Sequence, residues 1–491
     1  MAGINYAKLR ASLKDGSAPV DPDARIGEIA FEGYYSEGSA GEILRISKND
    51  GLDDYIGDGP VRAALEDFYG EIEDDSYAVT VIYVKADTTG SNGAVVHVGT
   101  GSGAMVASGT GKWYVEPIVK VTTAGAAATA QVAVSLDGGN SYKDPVTVEA
   151  GGAVVLHENL GLTGTFDIGD NDLVENDTFA FDVTPDSMAF GDVETADTIH
   201  YATQAYYDDE AFALKAEAIF IVGPVAASNV DDLQDLAEDR FDEFTPQVFV
   251  GDFRRIDWST SETLTEYYNV CAAAFADANA VAKRWFGWCM GYATRDVTFD
   301  NSISWKLPWS NIGITAGVMC RMNKISDSTG ATTNAGDVNK LRSTVYSKQF
   351  TSSQTEALNE LGATLLRKHK GSTFFWLTRM GTCAGAGNIY QPLDRVRVVT
   401  YAIGAVFAAL FPYIDKDLDG DDASGMEPKV LSAKVNAECW ESLKTYLAKL
   451  TTKVTSSGDA FTCDINMQPR RKASIIDANL AMKETLTIAR S

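Results

Sequence analysis

The chain has 491 residues, which is too long for one hydrophobic core and predicts about three structural units. Hydrophobic residues make up 45% and charged residues 22%, a composition typical of globular protein that excludes global disorder or a fibrous repeat. The chain carries 68 Asp and Glu against 41 Lys and Arg, for a net charge of -27. This charge opposes a general nucleic-acid or anionic-membrane surface.

Two regions bear on targeting and membrane insertion. The first 15 residues contain no apolar core of the signal-peptide type, so we expect synthesis in the cytoplasm. The longest uncharged apolar run lies between Arg397 and Asp415, and Pro412 interrupts it. It falls short of the roughly 20 residues that a membrane span needs. We predict a buried helix there and no direct membrane insertion.

The cysteines form no C-x-x-C pair and have no histidine at zinc-ligand spacing, so no metal site is predicted from them. One interpretation is six reduced, partly buried thiols. The other is pairing between subunits after an assembled particle leaves the reducing cytoplasm. The residues concerned are Cys271, Cys289, Cys320, Cys383, Cys439 and Cys463.

The first part of the chain reads as an arm followed by the start of an α/β unit. Scattered apolar residues precede a Gly, Pro and Asp-rich stretch through Pro22, which is typical of a terminal arm. The apolar residues of this arm that we single out as candidate contact residues are Ile4, Tyr6 and Leu9. A helix is predicted from Gly59, with Pro60 in its first turn, and a buried strand over 78–85.

Between residues 88 and 185 the composition changes, because Gly, Ala, Thr and Val dominate while Arg and Cys are absent. Short β-branched runs are separated by turn residues such as those at 137–140. This pattern predicts an inserted β-sandwich. Its predicted strands are 113–121, 129–136, 145–148, 153–156, 164–168 and 178–183.

Alternating helices and strands resume after the insertion, which predicts parallel β-α-β packing. The predicted helices are 208–215, 229–244 and 262–283, the predicted strands 218–222, 247–250 and 285–292, and the loop 326–336. In the last third we predict helices at 354–368 and 433–453, with the apolar helix that Pro412 ends between them, and strands at 373–379 and 461–465.

A second arm follows the last strand, because its apolar residues are compatible with an extended chain. Its candidate contact residues are Ile475, Ile476, Leu480, Met482, Leu486 and Ile488. The resulting fold class is an α/β multidomain protein: an α/β body with an inserted β-sandwich, a C-terminal α+β domain and extended terminal arms. The predicted units are 1–22 (arm), 23–87 (body), 88–185 (insertion), 186–345 (body), 346–472 (C-terminal domain) and 473–491 (arm).

No motif of the sequence indicates catalysis. The four histidines at 97, 157, 200 and 369 fall in different predicted elements, and no G-x-S-x-G nucleophile elbow occurs. The glycine-rich segment 99–103 superficially resembles a phosphate-binding loop, but it lacks the required spacing and leads into a β segment. We interpret it as an entry to the insertion and predict no catalytic residues and no cofactor.

The acidic segment from Asp415 to Gly420 begins like a calcium-binding loop. Its twelfth position is Met426, and Glu427 falls one residue late for the bidentate ligand. We favour a solvated acidic loop and predict no metal.

Basic clusters stand out against the acidic composition, including Arg254-Arg255. They are interpreted either as solvated surface with local ion pairs or as contacts to an acidic partner surface. The candidates for contact with such a partner are Arg367, Lys368, Lys370, Arg470, Arg471 and Lys472.

The chain resembles contractile phage tail sheath proteins, and it is most similar to the branch with an inserted β-sandwich. The segments that carry the resemblance are 52–60 (LDDYIGDGP) with the strand after it, 111–142 (GKWY to DGGNSY), 358–367 (LNELGATLLR) with 374–379 (FFWLTR), and the final helix, strand and tail.

This resemblance implies a structural subunit that polymerises as stacked hexameric rings around the tail tube. It implies contraction that drives the tube through the host envelope, an inner C-terminal domain that faces the tube, and arms that add strands to neighbouring subunits. The implied partners are further copies of the chain, the tail tube protein, and baseplate and tail terminator proteins, with no nucleic acid. The implied location is the virion tail, after synthesis in the host bacterial cytoplasm.

Two other functions compete with this interpretation, a glycan-binding adhesin and an enzyme. A tail-tip or fibre-like adhesin would use Trp113, Tyr114 and Tyr142 to stack on sugars, although these residues also suit a sandwich core. An α/β hydrolase-like enzyme would need the missing nucleophile elbow.

Overall fold

The computed structural model describes residues 28–72, 77–84, 90–109, 111–167, 173–185, 187–209, 216–242, 247–256, 262–280, 284–299, 303–321, 343–344, 350–369, 372–375, 381–385, 391, 393–410, 428–444, 446–457 and 460–469. The two predicted arms and the predicted loop at 326–336 lie outside these ranges. Helices and several sheets alternate along the described chain, which confirms the α/β class.

The strands are β1 (Ile29–Gly33), β2 (Ile43–Ser47), β3 (Ala78–Tyr83), β4 (Ser91–Asn92), β5 (Val96–Val98), β6 (Ala104–Ser108), β7 (Ile118–Thr123), β8 (Gln131–Ser135), β9 (Val146–Thr147), β10 (Ala153–His157), β11 (Leu162–Asp167), β12 (Thr178–Ala180), β13 (Val183–Thr184), β14 (Ala218–Pro224), β15 (Val248–Asp252), β16 (Phe286–Met290), β17 (Tyr292–Phe299), β18 (Ile303–Ser310), β19 (Ser343–Thr344), β20 (Ala363–His369), β21 (Ser372–Phe375), β22 (Leu447–Ser457) and β23 (Ala460–Pro469).

The α-helices are α1 (Leu52–Tyr55), α2 (Pro60–Glu71), α3 (Ile199–Asp208), α4 (Val230–Asp242), α5 (Leu264–Ala280), α6 (Ile312–Arg321), α7 (Ser352–Glu360), α8 (Leu393–Leu410) and α9 (Pro428–Leu443).

An eight-stranded sheet is the centre of the body, with strand order β2-β3-β1-β14-β15-β16-β20-β21. Its six inner strands pair in parallel, while β2 and β21 pair antiparallel at the two edges. The inner strands β1, β15 and β16 are buried at every residue, as expected for parallel strands covered on both faces. The parallel packing predicted from the sequence is therefore confirmed.

Strands β4 to β13 lie between β3 and β14 in the chain and form separate antiparallel sheets. The two larger sheets have the orders β10-β11-β6 and β5-β12-β7-β8-β9. The rings of Phe166 on β11 and Phe179 on β12 meet at 5.0 Å, so the two sheets share apolar contacts. The strand predicted over 113–121 begins only at Ile118, because Trp113 and Tyr114 belong to the segment that packs on the body.

Helix ends follow local capping chemistry. Pro60 occupies the first turn of α2, where a missing N–H costs nothing. Before α7, Thr351 Oγ1 accepts a hydrogen bond from the Gln354 N–H, and the Gln354 side chain accepts one from the Thr351 N–H. Helices α2 and α6 pack closely, because a Cβ on Gly313 would lie 2.1 Å from the Ala64 carbonyl oxygen.

The helix predicted over 354–368 is wrong in its second half. Helix α7 ends at Glu360, and Ala363 begins β20, which pairs in parallel with β16. Gly362 between them adopts φ +98°, and a Cβ there would lie 2.8 Å from the Thr382 carbonyl oxygen. The chain therefore leaves the helical conformation at a position that glycine alone fills without strain.

The helix predicted over 433–453 is also wrong in its second half. Helix α9 runs from Pro428 to Leu443, and β22 begins at Leu447 and pairs with β23 over its length. The β-branched residues Thr451, Thr452 and Val454 favour a strand at this point. The helix predicted over 208–215 lies mostly outside the described residues; the described helix α3 precedes it and ends at Asp208.

Two apolar clusters lie in the described part of the chain. The first combines the eight-stranded sheet, its helices and the inserted strands, and it continues past residue 346, where the sequence placed the start of a C-terminal domain. The second cluster begins at Val398. Its buried members are Val398, Ala402, Val406, Ala409, Leu431, Val435, Cys439, Leu443, Tyr446, Leu447, Leu450 and Val454.

Candidate functional site

The inserted strands meet the body at the carboxyl ends of β14, β15 and β16. This edge of a parallel sheet is where α/β proteins commonly bind ligands. A cavity of about 60 Å³ lies here, between the insertion and the sheet. We take this junction as the candidate functional site.

Aromatic rings join the two parts. The ring centroids of Trp113 and Trp309 lie 3.4 Å apart, and those of Tyr114 and Tyr292 lie 5.5 Å apart. Trp113 and Tyr114 are each only 5% exposed, whereas Tyr142 is 37% exposed. Because two of the three aromatic residues considered for sugar stacking are buried against the body, the adhesin interpretation loses most of its basis.

Polar contacts add to the same junction. The carboxylate Oδ2 of Asp137, in the turn after β8, accepts a hydrogen bond of 3.0 Å from the Lys306 N–H on β18. The Lys112 ammonium donates to the Tyr34 hydroxyl at 2.9 Å and lies over the Tyr34 ring. The insertion is thus held to the body by hydrogen bonds as well as by apolar packing.

Asp252, the last residue of β15, is the buried acidic group of this site. It is 2% exposed and lines the cavity, and its Oδ2 accepts a hydrogen bond of 3.3 Å from the Tyr292 hydroxyl. Burial raises the pKa of Asp252 to about 8, although hydrogen bonds from Ser310, Tyr292 and the Phe253 amide oppose the increase. The other oxygen, Oδ1, has no hydrogen-bond partner among the described residues.

Sequence reasoning missed Asp252. The available signal was an acidic residue directly after the predicted buried strand 247–250, at the edge where parallel strands end. The other residues that line the cavity are mostly aromatic or apolar: Tyr34, Pro60, Gly111, Lys112, Trp113, Tyr114, Pro185, Met188, Val222, Gly223, Pro224, Tyr292, Pro308, Trp309 and Ser310.

The basic pair Arg254-Arg255 forms ion pairs within the chain. Arg254 donates two hydrogen bonds to Glu262, at 2.9 and 2.6 Å, which raise the pKa of the guanidinium further. Arg255 has a side chain that is 3% exposed, lies over the Tyr114 ring and contacts Glu116 at 3.4 Å. For this cluster the interpretation as local ion pairs is the one that the geometry favours.

The glycine-rich segment 99–103 encloses a carboxylate of the chain itself. The N–H groups of Thr100 and Gly101 donate to the two oxygens of Asp177, at 3.0 and 3.1 Å. Asp177 is 2% exposed. The amides that a phosphate-binding loop would offer to a ligand are therefore used in holding β12 against the start of the insertion.

The described histidine side chains have separate local roles. His97 stacks on Phe179 with ring centroids 4.5 Å apart, and His200 stacks on Phe190 at 4.9 Å. His157 is buried, and its Nδ1 accepts a hydrogen bond from the Leu160 N–H. These three residues lie in different elements.

The other predicted site residues are placed only in part. Arg367 and Lys368 lie on β20, but their side chains are outside the described set. Lys370, the basic residues 470–472, both arms and the acidic loop after Asp415 are outside it entirely. Among the residues that the structure describes, no group of His, Cys, Asp and Glu side chains is placed to bind a metal ion. The helices in the same part of the chain are too short or too polar to cross a membrane.

None of the six cysteines forms a disulfide within the described residues. Cys271, Cys289, Cys383 and Cys439 are buried, whereas Cys320 and Cys463 are partly exposed. Burial raises the pKa of each of these thiols. Pairing between subunits stays a prediction.

Comparison with known families gives one assignment. The model of the family described as DUF2586, N-terminal domain, matches residues 20–379. The chain belongs to this family. The matched region ends after β21 and before α8, the helix with which the second apolar cluster begins. A search of curated proteins gave no match.

Three solved structures are similar to the chain. The sheath tail protein of Listeria innocua is 11% identical, with a TM-score of 0.46 over 96% of this chain and 97% of that one. The sheath tail protein of Desulfitobacterium hafniense is 12% identical, with a TM-score of 0.42 over 91% and 97%. A chain of the anti-feeding prophage baseplate is 12% identical, with a TM-score of 0.36 over 54% and 68%.

Proposed function

We propose that the chain is the structural subunit of a contractile tail sheath. The observation that carries the proposal is the ribbon of β22 and β23. Its strands have 11 and 10 residues and, within the described part of the chain, form a two-stranded sheet. A two-stranded ribbon is marginally stable by itself in water. Within the described residues, the outer edge of each strand is unpaired, which leaves backbone groups ready for strand addition.

One face of the ribbon is already covered. Ser432 on α9 accepts a hydrogen bond of 2.8 Å from the Val454 N–H, and its carbonyl accepts one from the Thr452 hydroxyl. Leu447 and Leu450 are buried in the second apolar cluster. The helix therefore fixes the ribbon in place, and none of the described residues pairs with the two outer edges.

The terminal arms are the proposed partners of these edges. Ile4, Tyr6 and Leu9 at one end and the apolar residues from Ile475 to Ile488 at the other have the extended pattern that added strands require. Arms donated to neighbouring copies would connect hexameric rings into a helical stack. The rings would then shorten and drive the tube through the host envelope without losing these connections.

The remaining parts of the proposal follow from the resemblance of the sequence. The second apolar cluster and the residues around it would face the tail tube, with Arg367, Lys368, Lys370, Arg470, Arg471 and Lys472 as candidate contacts. The inserted strands would lie on the outside. Baseplate and tail terminator proteins would bind the ends of the stack, and the location would be the virion tail after synthesis in a bacterial cytoplasm. The role requires no catalysis and no cofactor.

Electron microscopy of the purified recombinant chain tests this function. We expect hollow tubes, and monodisperse monomers at high concentration would contradict the sheath function. Two variants test the arms: deletion of residues 1–21 and deletion of residues 473–491, each matched by a variant in which the same residues become a Gly/Ser segment. All four proteins should fold and remain soluble but fail to form tubes. Tube formation by both deletions would refute strand exchange while leaving the sheath function open to other contacts.

A further inference from the structure

We infer that the cavity beside Asp252 binds a primary ammonium group, such as the end of a small alkylamine or of a lysine side chain. This site is independent of the proposed sheath function. It depends on three features of the junction: a buried carboxyl group with one unpaired oxygen, aromatic side chains around it, and room for a group of limited size.

The carboxyl group sets the sign of the charge that the cavity accepts. Asp252 Oδ2 accepts a hydrogen bond from the Tyr292 hydroxyl, whereas Oδ1 has no hydrogen-bond partner among the described residues. A buried acceptor without a donor costs free energy, so a ligand that brings N–H donors gains both a hydrogen bond and a charge interaction. An anion brings no N–H donor to Oδ1 and gains neither of these interactions.

The aromatic side chains favour a cation over a neutral donor. Trp113, Tyr114, Tyr292 and Trp309 all line the cavity with Asp252. Ring faces attract an ammonium ion by cation–π interaction, which is stronger where water is excluded. The volume of about 60 Å³ has room for roughly two water-sized groups, which corresponds to an ammonium and its neighbouring carbon. The alkyl chain would then leave past the partly exposed rim formed by residues such as Pro60, Pro185 and Pro308.

Lys112 at the rim is the main competing cation. Its ammonium donates to the Tyr34 hydroxyl at 2.9 Å, and this contact holds it on the Tyr34 side of the cavity. A second ammonium at Asp252 would be repelled by Lys112, so Lys112→Met should tighten binding of the amine.

Proton release provides a signature specific to this site. The titratable groups around Asp252 are Tyr114, Tyr292, Cys289, Lys112 and the Arg254-Arg255 pair. Burial raises the pKa of the Tyr114 hydroxyl and of the Cys289 thiol, which therefore stay neutral up to alkaline pH. Asp252 has a pKa of about 8 and is protonated at neutral pH, so an ammonium that binds its carboxylate must displace a proton. Affinity should increase about tenfold per pH unit between pH 5 and 7.

Titration calorimetry of the full chain with n-butylamine tests the inference, with n-butanol and butyrate as probes of the same length. At pH 7, in buffers of different ionisation enthalpy, we expect release of close to one proton for each amine bound, and weaker binding of both controls. Asp252→Asn should lower amine affinity at least tenfold and abolish proton release. Glu32→Gln is the matched control, because Glu32 is also a fully buried carboxyl group but does not line the cavity; it should leave both quantities unchanged.

Two results would overturn the inference. Equal affinity for n-butanol and n-butylamine would show an apolar pocket that does not recognise charge. Amine binding that does not depend on pH would exclude a role for Asp252. This second result is measured on the unmodified chain, so it holds even if Asp252→Asn fails to fold. Nα-acetyl-lysine amide distinguishes the two sources of the ammonium. Binding of this compound favours a lysine side chain of another protein, and binding of n-butylamine alone favours a free amine.

Discussion

Replacement of Glu32 by glutamine should remove a large part of the pH dependence of stability. Glu32 lies on the inner strand β1 and is fully buried. The Thr203 hydroxyl on α3 donates a hydrogen bond to its carboxyl group, at 3.0 Å from Oε2 and 3.2 Å from Oε1. Burial raises the pKa of Glu32 to about 8, although this hydrogen bond lowers it. At neutral pH the folded protein therefore holds a proton on Glu32 that the unfolded chain has released.

The direction and size of the effect follow from this difference. The stabilising contribution of protonated Glu32 is fully present below the unfolded pKa of 4.5 and is lost as the pH rises through the folded pKa of about 8. Over that range each pH unit lowers the free energy of unfolding by about 1.4 kcal/mol. Between pH 5 and 7.5 the change approaches roughly 3 kcal/mol. Glu32→Gln keeps the shape and removes this slope, at a cost of about 1–3 kcal/mol if its amide group finds no acceptor.

Urea unfolding followed by tryptophan fluorescence at pH 5, 6, 7 and 7.5 measures the effect. The variant should be less stable than the unmodified chain at pH 5, and the difference should shrink or reverse by pH 7.5. Glu149→Gln, which changes an exposed glutamate of the insertion, should leave the slope unchanged. Parallel stability curves for the unmodified chain and Glu32→Gln would refute the assignment of a buried, protonated carboxyl group.

Two further changes test the packing of the body. Gly362→Ala should lower the free energy of unfolding, measured in urea, by about 1–3 kcal/mol. Gly362 has φ +98°, and the new Cβ would lie 2.8 Å from the Thr382 carbonyl oxygen. Gly70→Ala is the control: a Cβ there would have no atom within 4 Å, so this change should stabilise α2 by about 0.5–1 kcal/mol. Arg397→Met should lower the free energy of unfolding by about 1–3 kcal/mol, because it leaves Glu217 without its partner. The double variant Arg397→Met and Glu217→Gln should recover most of this loss in the same assay. If it recovers none, the ion pair is contradicted.

The centre of the fold was accessible from the sequence because its signals are local. The apolar strands predicted at 218–222 and 247–250 correspond to β14 and β15, and both lie in the parallel sheet where the alternation with helices placed them. The change in composition at 88–185 likewise coincides with the separate antiparallel sheets between β3 and β14.

The errors occur where a local signal and the tertiary contacts disagree. Residues 354–368 contain strong helix formers on both sides of Gly362, and the close approach of Gly362 to Thr382 shows why the helix ends early. Residues 433–453 continue a helical apolar pattern past Leu443, although the register of β22 with β23 determines the fold there.

Most of the candidate site could not be predicted from the sequence, because it also depends on tertiary contacts. Trp113 and Asp252 are far apart in the chain and come together only when the inserted strands fold back on the edge of the sheet. The helix α3 was also missed, although Thr198, whose side chain accepts a hydrogen bond from the Tyr201 N–H, is a recognisable N-cap.

Helix α8 has a mechanical consequence. Its first turns place Leu393 and Val396 in the first apolar cluster, and Val398, Ala402 and Val406 lie in the second. At 1.5 Å per residue its 18 residues extend about 27 Å, and the Arg397 to Glu217 ion pair lies near the boundary between the clusters. A continuous helix shared by two cores resists bending at that boundary. A torque applied to the ribbon of β22 and β23 would therefore reach the eight-stranded sheet through α9 and α8.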